Sequence, residues 1–324
     1  MPQNICKNYK NGSKKQLMRK AFSIATKVGI IKKPNFNNDG ISFVIPVMNE
    51  ERTIEACLLS VMPVADEIIV VDSSTDSTTE KIASLANKHK KIKHIRFYCN
   101  DINSFPLQLT IGLTCVKYKW VFRFNSDMVA HDDMYKWKNR LATLDRNKYY
   151  VIDCPWVNLE SDIFHQPKNK PFGGYEGLIF TWHPSLRWVL KPNQAEQVMG
   201  DSIYGCRFPP FYEVINFEEP YIFHLNIKSP KRRLERCFWT DYMNCKGKAE
   251  GRSFGNLEEY VRFRTKNDWN LSYEEALLRV IKGIEKNLAP YNEERFGTLP
   301  ELILKKIYSP KLDFITLEDP LTTP

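Results

Sequence analysis

The sequence lacks long hydrophobic runs and paired cysteines, and each absence excludes a class of protein. No stretch approaches the roughly 18 uninterrupted apolar residues of a membrane-spanning helix, and the N-terminus has no compact apolar segment followed by a small-residue cleavage site. The eight cysteines are scattered, without a C-x-x-C pair or a histidine at zinc-ligand spacing. Disulfide frameworks and zinc sites are therefore not indicated, and the sequence favours a cytoplasmic protein with reduced thiols.

Positive charge is concentrated at the start of the chain. Residues 1–40 hold nine Lys or Arg against one acid, Asp39, whereas the remaining 284 residues hold 38 basic and 37 acidic side chains. A nearly neutral body without a nucleic-acid-binding motif argues against a nucleic-acid partner. In residues 1–33, apolar side chains recur near helical spacing among the lysines. This pattern is typical of a helix docked on the body, and the alternative is peripheral contact with an anionic membrane at its cytoplasmic face.

From residue 41 the sequence alternates between short apolar runs and amphipathic segments. Strands are predicted at residues 41–45, 68–71, 94–98, 120–124 and 149–154, and helices at residues 53–61, 77–89, 105–118 and 132–145. Repeated strand–helix units with continuous apolar strands predict an α/β fold, with a mostly parallel sheet flanked by helices. Prolines and glycines then indicate a loop-rich region, and helices are predicted again at residues 257–264, 273–286 and 299–307.

Two of the predicted strands end in acidic and hydroxyl side chains. The strand at 68–71 runs into Asp72-Ser73-Ser74-Thr75-Asp76, and the strand at 120–124 runs into Asn125-Ser126-Asp127. Open α/β sheets bind ligands at the carboxyl ends of their strands. The two ends together predict a site for a cation and a nucleotide. Helix capping is the alternative for the acids of the first segment; it suits Asp76 better, and ligand binding suits Asp72 better.

Three motifs occur in order along the chain: Val44-Ile45-Pro46-Val47-Met48-Asn49-Glu50, the segment from Ile69 to Thr78, and Asn125-Ser126-Asp127. They resemble the first strand, the second motif and the Asp-x-Asp metal motif of family 2 glycosyltransferases with the GT-A fold, which is Rossmann-like. The chain departs from the pattern at Asn125, which replaces an Asp, and at Ser73, which replaces the usual Gly. The resemblance covers about residues 41 to 130.

This resemblance implies an enzyme and its partners. It implies a metal-dependent inverting glycosyltransferase that moves a sugar from a UDP-, GDP- or dTDP-sugar to a saccharide or lipid-linked saccharide, as in polysaccharide biosynthesis. By similarity, Asp127 holds a divalent metal, Mn²⁺ or Mg²⁺, with Asn125 and His224, and Asp72 binds the base or ribose. Four further residues are expected to line the nucleotide pocket: Pro46, Asn49, Glu50 and Ser126.

A second cluster of polar residues follows the strand-like run Tyr221–Leu225, which carries His224. Lys228 comes next, and Ser229 and Pro230 are residue types of a helix N-cap and first turn. Helix N-termini bind phosphate. The cations after this N-cap oppose the helix dipole, so stability alone does not explain them; they are Lys231, Arg232, Arg233 and Arg236. The cluster predicts a diphosphate site that includes Lys228 and Arg232.

An inverting transfer also needs a carboxylate that accepts the proton of the acceptor hydroxyl. Candidates are Glu176, Glu196, Asp201 and Glu213. The segment from Leu178 to Trp188 resembles an Arg-Leu-Phe-Arg-x-His-Pro-x-x-Arg-Trp segment of bacterial envelope glucosyltransferases. Because a His-Glu pair follows that segment in those enzymes, Glu196 is favoured as the base, and Asp201 is favoured because it follows Gly200 in a predicted loop.

These features predict five segments and leave two alternative functions open. The segments are a basic arm (1–40), a nucleotide-sugar-binding half (41–154), an acceptor-binding and catalytic region (155–256), a helical extension (257–314) and a tail (315–324). A sugar-nucleotide nucleotidyltransferase would share the sheet but usually has a Gly-rich phosphate loop after its first strand. The segment Pro46–Glu50 contains no glycine and does not match such a loop. A non-catalytic nucleotide- or carbohydrate-binding module fits the neutral Asn125 and the unassigned base.

Overall fold

The computed structural model describes residues 21, 24–25, 28–30, 38–98, 104–184, 186–190, 204–206, 208 and 212–307. Its strands are β1 (Ile41–Val47), β2 (Glu67–Asp72), β3 (Ile92–Arg96), β4 (Trp120–Arg123), β5 (Met128–Ala130), β6 (Tyr149–Glu160), β7 (His165–Pro167), β8 (Phe172–Thr181), β9 (Trp188–Leu190), β10 (Tyr204–Cys206), β11 (Tyr212–Asn216), β12 (Ile222–Asn226), β13 (Lys248–Ala249), β14 (Arg252–Ser253) and β15 (Leu288–Pro290). Its helices are α1 (Ile54–Val61), α2 (Thr78–Lys88), α3 (Ser104–Thr114), α4 (Tyr135–Ala142), α5 (Pro230–Cys245), α6 (Leu257–Trp269), α7 (Tyr273–Asn287), α8 (Glu293–Phe296) and α9 (Glu301–Lys306).

The main sheet of the described residues has nine strands in a mixed arrangement. Its order is β3-β2-β1-β4-β8-β6-β12-β5, and β11 pairs with the first half of β6. The pairs among β3, β2, β1 and β4 are parallel, and so are those of β6 with β11 and β12. Strand β8 pairs antiparallel with β4 and β6, and β5 pairs antiparallel with β12. The predicted α/β architecture with a mostly parallel sheet and flanking helices is confirmed.

Helices cover both faces of the parallel half because its strands are apolar on both sides. Phe43 and Phe122 point to the face covered by α1, α2 and α4, and their ring centroids lie 4.6 Å apart. Val44 and Val121 point to the other face, where α3 packs. Gly112 of α3 allows this close approach, since an added Cβ would lie 2.4 Å from Cγ1 of Val44. The parallel strand ends are thus held on a fully packed base.

The chain beyond residue 155 is more regular than its glycines and prolines predict. Strand β6 continues to Glu160, across the predicted segment boundary at residue 154, and β8 pairs with it antiparallel. An added Cβ at Gly173 would lie 2.3 Å from the indole ring of Trp156. Glycine here permits close packing inside a strand and does not mark a loop.

The C-terminal helices are confirmed and form a separate apolar cluster. Helices α5, α6 and α7 pack around Leu234, Tyr260 and Leu277. Most of the predicted arm, the tail at 315–324, and both Glu196 and Asp201 lie outside the described residues. The segment boundaries stay predictions. Among the described helices, none is both long enough and apolar enough to cross a membrane.

Candidate functional site

The loop between β4 and β5 carries Asp127 and is fixed by hydrogen bonds to its backbone. The Thr53 hydroxyl at the start of α1 donates to the carbonyl oxygen of Ser126 at 3.0 Å. The Leu225 N–H of β12 donates to the carbonyl oxygen of Asp127 at 2.7 Å. Both Ser126 and Asp127 are buried. A helix start and a strand therefore set the position of the Asp127 side chain.

The buried Asp127 carboxylate faces an imidazole and an ammonium group. Its Oδ2 atom lies 3.3 Å from Nε2 of His224 and 3.0 Å from Nζ of Lys228. Nδ1 of His224 lies 2.9 Å from Oδ1 of Asn158, and its ring packs edge-on against Trp156 with centroids 5.3 Å apart. Burial opposes ionisation of Asp127, but Lys228 and His224 outweigh it and hold the pKa of this carboxyl well below its usual range. Asp127 is therefore an anion held beside an ammonium group and an imidazole.

Lys228 joins Asp127 to the end of β1. Its Nζ atom also lies 3.0 Å from Oε1 of Glu50, and its side chain is only 7% exposed. Glu50 follows β1 and Lys228 follows β12, so one ammonium group links two strand ends. Because a buried charge without a partner is costly, the two carboxylates and the ammonium behave as one electrostatic unit.

Asn49 ties the end of β1 to the end of β2. Its φ of 55° lies in the left-handed region, which Asn tolerates better than most residues. Its N–H donates to Oγ of Ser74 at 2.9 Å, and the Thr75 N–H donates to its Oδ1 at 2.7 Å. Pro46, by contrast, lies buried within β1 opposite Val71. The structure thus places Asn49 at the strand ends and Pro46 inside the sheet.

Asp72 is also at a strand end, but its own chain occupies its carboxylate. Its side chain is fully buried. Its Oδ1 accepts from the Ser74 N–H at 2.8 Å, and its Oδ2 contacts Oγ1 of Thr79 and Nε2 of His94, each at 2.9 Å, as well as the Arg96 guanidinium. Burial would raise the pKa of Asp72, but the hydrogen bonds from Ser74, His94 and Arg96 lower it. Four groups of the chain itself thus hold this carboxylate.

The start of α5 confirms the predicted helix N-terminus and brings Arg232 to the same edge. Oγ of Ser229 accepts from the Arg232 N–H at 3.2 Å, and Pro230 is the first helical residue. The Arg232 guanidinium reaches back to β1, with Nη2 3.4 Å from the carbonyl oxygen of Asn49. A helix N-terminus and a guanidinium therefore lie beside the end of β1.

The other cations of α5 divide between this edge and neighbouring carboxylates. Lys231 pairs with a carboxylate at the start of α6 at 2.8 Å, and Arg233 pairs with Glu160 at the end of β6. The positive charge of Arg236 helps to lower the pKa of Asp127. Lys228, Arg232 and Arg236 thus supply positive charge around the site.

A family comparison agrees with this arrangement of strand ends. The model of the family described as "Glycosyl transferase family 2" matches residues 42–211, just over half of the chain. The chain belongs to this family. The match includes β1, β2 and the loop with Asp127, and it ends before His224 and Lys228.

Individual relatives of this family 2 member are distant. A poly-beta-1,6-N-acetyl-D-glucosamine synthase of Staphylococcus epidermidis is 28% identical over 109 residues, which are 32% of this chain and 26% of that protein. The chain thus matches about a quarter of the length of the curated relative. S. aureus TarS 1-349 in complex with UDP-GlcNAc is 14% identical, with 76% of this chain and 81% of that chain covered and a TM-score of 0.39. The mannosyltransferase PcManGT from Pyrobaculum calidifontis, in complex with GDP-Man and Mn²⁺, is 12% identical, with 84% of each chain covered and a TM-score of 0.37.

In this family 2 member, the groups around Asp127 fit a divalent metal in part. A carboxylate oxygen and an imidazole nitrogen are donors that first-row divalent metals accept. Nδ1 of His224 is already engaged by Asn158, as is usual for a metal-bound imidazole. The neutral Asn125 lies in the turn just before Asp127. In the described part of the chain, no group of three or more His, Cys, Asp or Glu side chains could hold a metal. Nucleotide oxygens would therefore have to complete the coordination.

A further group of charged residues within the sheet includes Glu176, one of the four carboxylates considered as the base, and two residues that the sequence did not single out. Arg123 of β4 pairs with Glu176 of β8, and its guanidinium lies 5.3 Å from the ring centroid of Trp188. Burial and the charge of Glu176 raise the pKa of Asp153 on β6. The signal for this group was an arginine inside the apolar run of β4. Glu213 is a second of the four carboxylates considered as the base. Its Oε1 atom lies 3.0 Å from the ammonium nitrogen of a lysine.

Proposed function

We propose that this family 2 member is an inverting, metal-dependent glycosyltransferase. It moves a sugar from a UDP-, GDP- or dTDP-sugar to a saccharide or lipid-linked saccharide in polysaccharide biosynthesis. The observation that carries the proposal is the buried Asp127 in the loop between β4 and β5, with an imidazole and an ammonium group within 3.3 Å of its carboxylate. Such a cation-binding corner is what a diphosphate donor requires.

Asp127 and His224 are the residues that would hold the metal, Mn²⁺ or Mg²⁺, with Asn125 as a neutral third ligand. When bound, the metal supplies positive charge that stabilises the departing nucleoside diphosphate. The chain adds its own positive charge beside the same corner, from Lys228 and Arg232. The N-terminus of α5 offers backbone N–H groups to the same phosphates.

The remaining roles follow the expectations from the sequence. Asn49, Glu50 and Ser126 would border the nucleotide. Asp72 would bind its base or ribose from the neighbouring strand end, in exchange for one of the contacts that the chain itself makes with this carboxylate. Glu196 and Asp201 are the proposed bases for the acceptor hydroxyl. A cytoplasmic location, with residues 1–33 as a membrane contact, belongs to the same proposal.

Turnover of sugar nucleotides tests the proposed function. UDP-, GDP- and dTDP-sugars are incubated with the chain in Mn²⁺ or in EDTA, and release of the nucleoside diphosphate is measured. We expect release from one nucleotide class in Mn²⁺ and none in EDTA. Binding of a nucleotide without any release would favour the non-catalytic binding module, and formation of sugar nucleotide from a nucleoside triphosphate would favour the nucleotidyltransferase.

Substitution distinguishes the two proposed bases. The two substitutions are Glu196→Gln and Asp201→Asn. The one that removes the base should lower turnover by about 100-fold or more, since general base catalysis contributes about 10²–10⁴-fold. Nucleotide affinity should stay unchanged, because a base for the acceptor does not contact the diphosphate. Glu218→Gln, at an exposed position, is the matched control. Full turnover in both variants would remove both residues from the mechanism.

A further inference from the structure

The position of Lys228 carries an inference that rests on the proposed function and deepens it. The ammonium group lies 3.0 Å from Oδ2 of Asp127, on the carboxylate that the metal would need. It lies 3.0 Å from Oε1 of Glu50 as well, and it is almost fully buried. The lysine therefore neutralises the anionic corner of the site that Asp127 and Glu50 form.

An ammonium group and a divalent cation cannot share this oxygen without strong repulsion, because like charges a few ångströms apart in a partly buried site are poorly screened. Either Lys228 stays on Asp127 and keeps metal affinity low, or it moves. Its flexible four-carbon stem allows the ammonium to move while the backbone stays in place.

The place of Lys228 in the chain shows where the ammonium can go. It immediately precedes Ser229, whose side chain caps α5, and Arg232 lies in the first turn of that helix. This helix N-terminus is where the proposed diphosphate would bind. A phosphate oxygen there would give the ammonium a new anionic partner once it leaves Asp127 and Glu50.

We propose that Lys228 couples metal binding to donor binding. Without a nucleotide, the lysine holds the Asp127–Glu50 corner and disfavours the metal; with a nucleotide, it pairs with the diphosphate and opens Asp127 to the metal. The metal and the nucleotide therefore bind cooperatively. Lys228 acts here as a positioning residue and takes no part in bond making.

The coupling factor is the ratio of the Mn²⁺ affinity with nucleotide to the Mn²⁺ affinity without it. We expect this factor to depend on the charge at Lys228. Mn²⁺ affinity is measured by titration calorimetry and by the EPR signal of free Mn²⁺, with and without UDP, GDP or dTDP. The matching nucleotide should raise the Mn²⁺ affinity of the unsubstituted chain by about 5- to 150-fold, and Mn²⁺ should raise nucleotide affinity by the same factor. Lys228→Met leaves two carboxylates without their ammonium. Mn²⁺ alone should then bind about tenfold more tightly, and the coupling factor should fall about tenfold.

The control is Lys231→Met, because Lys231 lies three residues after Lys228 at the start of the same helix. The Lys231 ammonium pairs with Glu258 at 2.8 Å, so the coupling factor of Lys231→Met should equal that of the unsubstituted chain. Lys228→Gln keeps hydrogen-bond donors for the two carboxylates, and it carries the same prediction if Lys228→Met does not fold.

The outcomes separate this inference from the proposed function. If a nucleotide binds with Mn²⁺ and the coupling factor is the same in every variant, Lys228 is a structural ion pair, and the inference is wrong while the function stands. If none of the three nucleotides binds the unsubstituted chain in Mn²⁺, both are overturned. A lower coupling factor in the Lys228 variants alone supports the inference.

Discussion

Two buried aspartates lie at strand ends of the sheet, and their partners differ. Asp72 is held by four groups of the chain, which include His94 and Arg96 of β3. Asp127 instead contacts an imidazole and a lysine whose ammonium is shared with Glu50. The partners of Asp72 join β2 to β3, whereas those of Asp127 are groups that a metal or a phosphate can engage.

The contacts of Asp72 predict a loss of stability on substitution. Asp72→Asn should lower the free energy of unfolding by about 2–4 kcal/mol at pH 7, because it leaves buried donors without an anion. The folded-state pKa of Asp72 is lowered, so its contribution is present above the unfolded pKa of about 4 and is lost as pH falls through the folded pKa.

Urea unfolding at a series of pH values checks this prediction. The difference between Asp72→Asn and the unsubstituted chain should be full at pH 7 and should shrink as pH falls below about 4. Asp133→Asn, which removes an exposed i,i+3 pair with Lys136, is the control and should change stability by less than about 1 kcal/mol. Equal stability of Asp72→Asn and the unsubstituted chain at pH 7 would show that the four contacts contribute little.

For single residues, the sequence predicted positions better than partners. The resemblance placed Asp127 and His224 in one site, and Lys228 followed from its place before a helix start. The contacts of His94 and Arg96 with Asp72 were not predicted, because they depend on the register of β2 against β3. Local sequence patterns do not specify which residues lie opposite each other on two strands.

The antiparallel pair of strands β6 and β8 packs against His224 through Trp156. Trp156 of β6 lies against Gly173 of β8 and also packs edge-on against His224. The sequence predicted a loop-rich region here because glycines and prolines are common in it. Gly173 instead makes room for an indole ring, and only the pairing of the two strands brings these residues together.

The start of α5, by contrast, could be predicted from the sequence. Ser229 caps the helix and Pro230 is its first residue, and both effects depend only on neighbouring positions in the chain.

This packing predicts that Gly173→Ala perturbs both stability and the site. The added methyl group would lie 2.3 Å from the indole ring, so Trp156 must shift toward its other neighbours. The variant should lose about 1–3 kcal/mol of stability, as overpacked sites do, and Mn²⁺-dependent nucleotide binding should weaken because Trp156 contacts His224. Thermal unfolding and titration calorimetry measure the two effects.

Gly283→Ala serves as the control for this prediction. Gly283 lies within α7, where an added Cβ meets no heavy atom within 4 Å. This substitution should stabilise the chain by about 0.5–1 kcal/mol, because alanine loses less backbone entropy in a helix, and should leave nucleotide binding unchanged. If Gly173→Ala behaves like Gly283→Ala, the contact with Trp156 does not position His224.

For the whole molecule, the sheet order brings the site together from distant parts of the chain. Strand β12 lies between β6 and β5, which sets His224 opposite Met128 and so beside Asp127. The alternation of strands and helices predicted the parallel half of the sheet. It did not predict the antiparallel entry of β8 and β5, because those pairings join segments far apart in sequence.

Nucleotide binding by the unsubstituted chain and by Asp127→Asn tests the central claim most directly. UDP, GDP and dTDP are titrated in Mn²⁺ by calorimetry, and Asp133→Asn serves as the control for loss of a surface carboxylate. One nucleotide should bind the unsubstituted chain and the control equally. Its affinity for Asp127→Asn should fall by at least about 10- to 100-fold, the cost of losing an outer-shell partner of a metal ligand, because Asp127 would contact the metal directly. Equal affinity for Asp127→Asn and the unsubstituted chain would contradict the claim that Asp127 is the metal corner of the donor site.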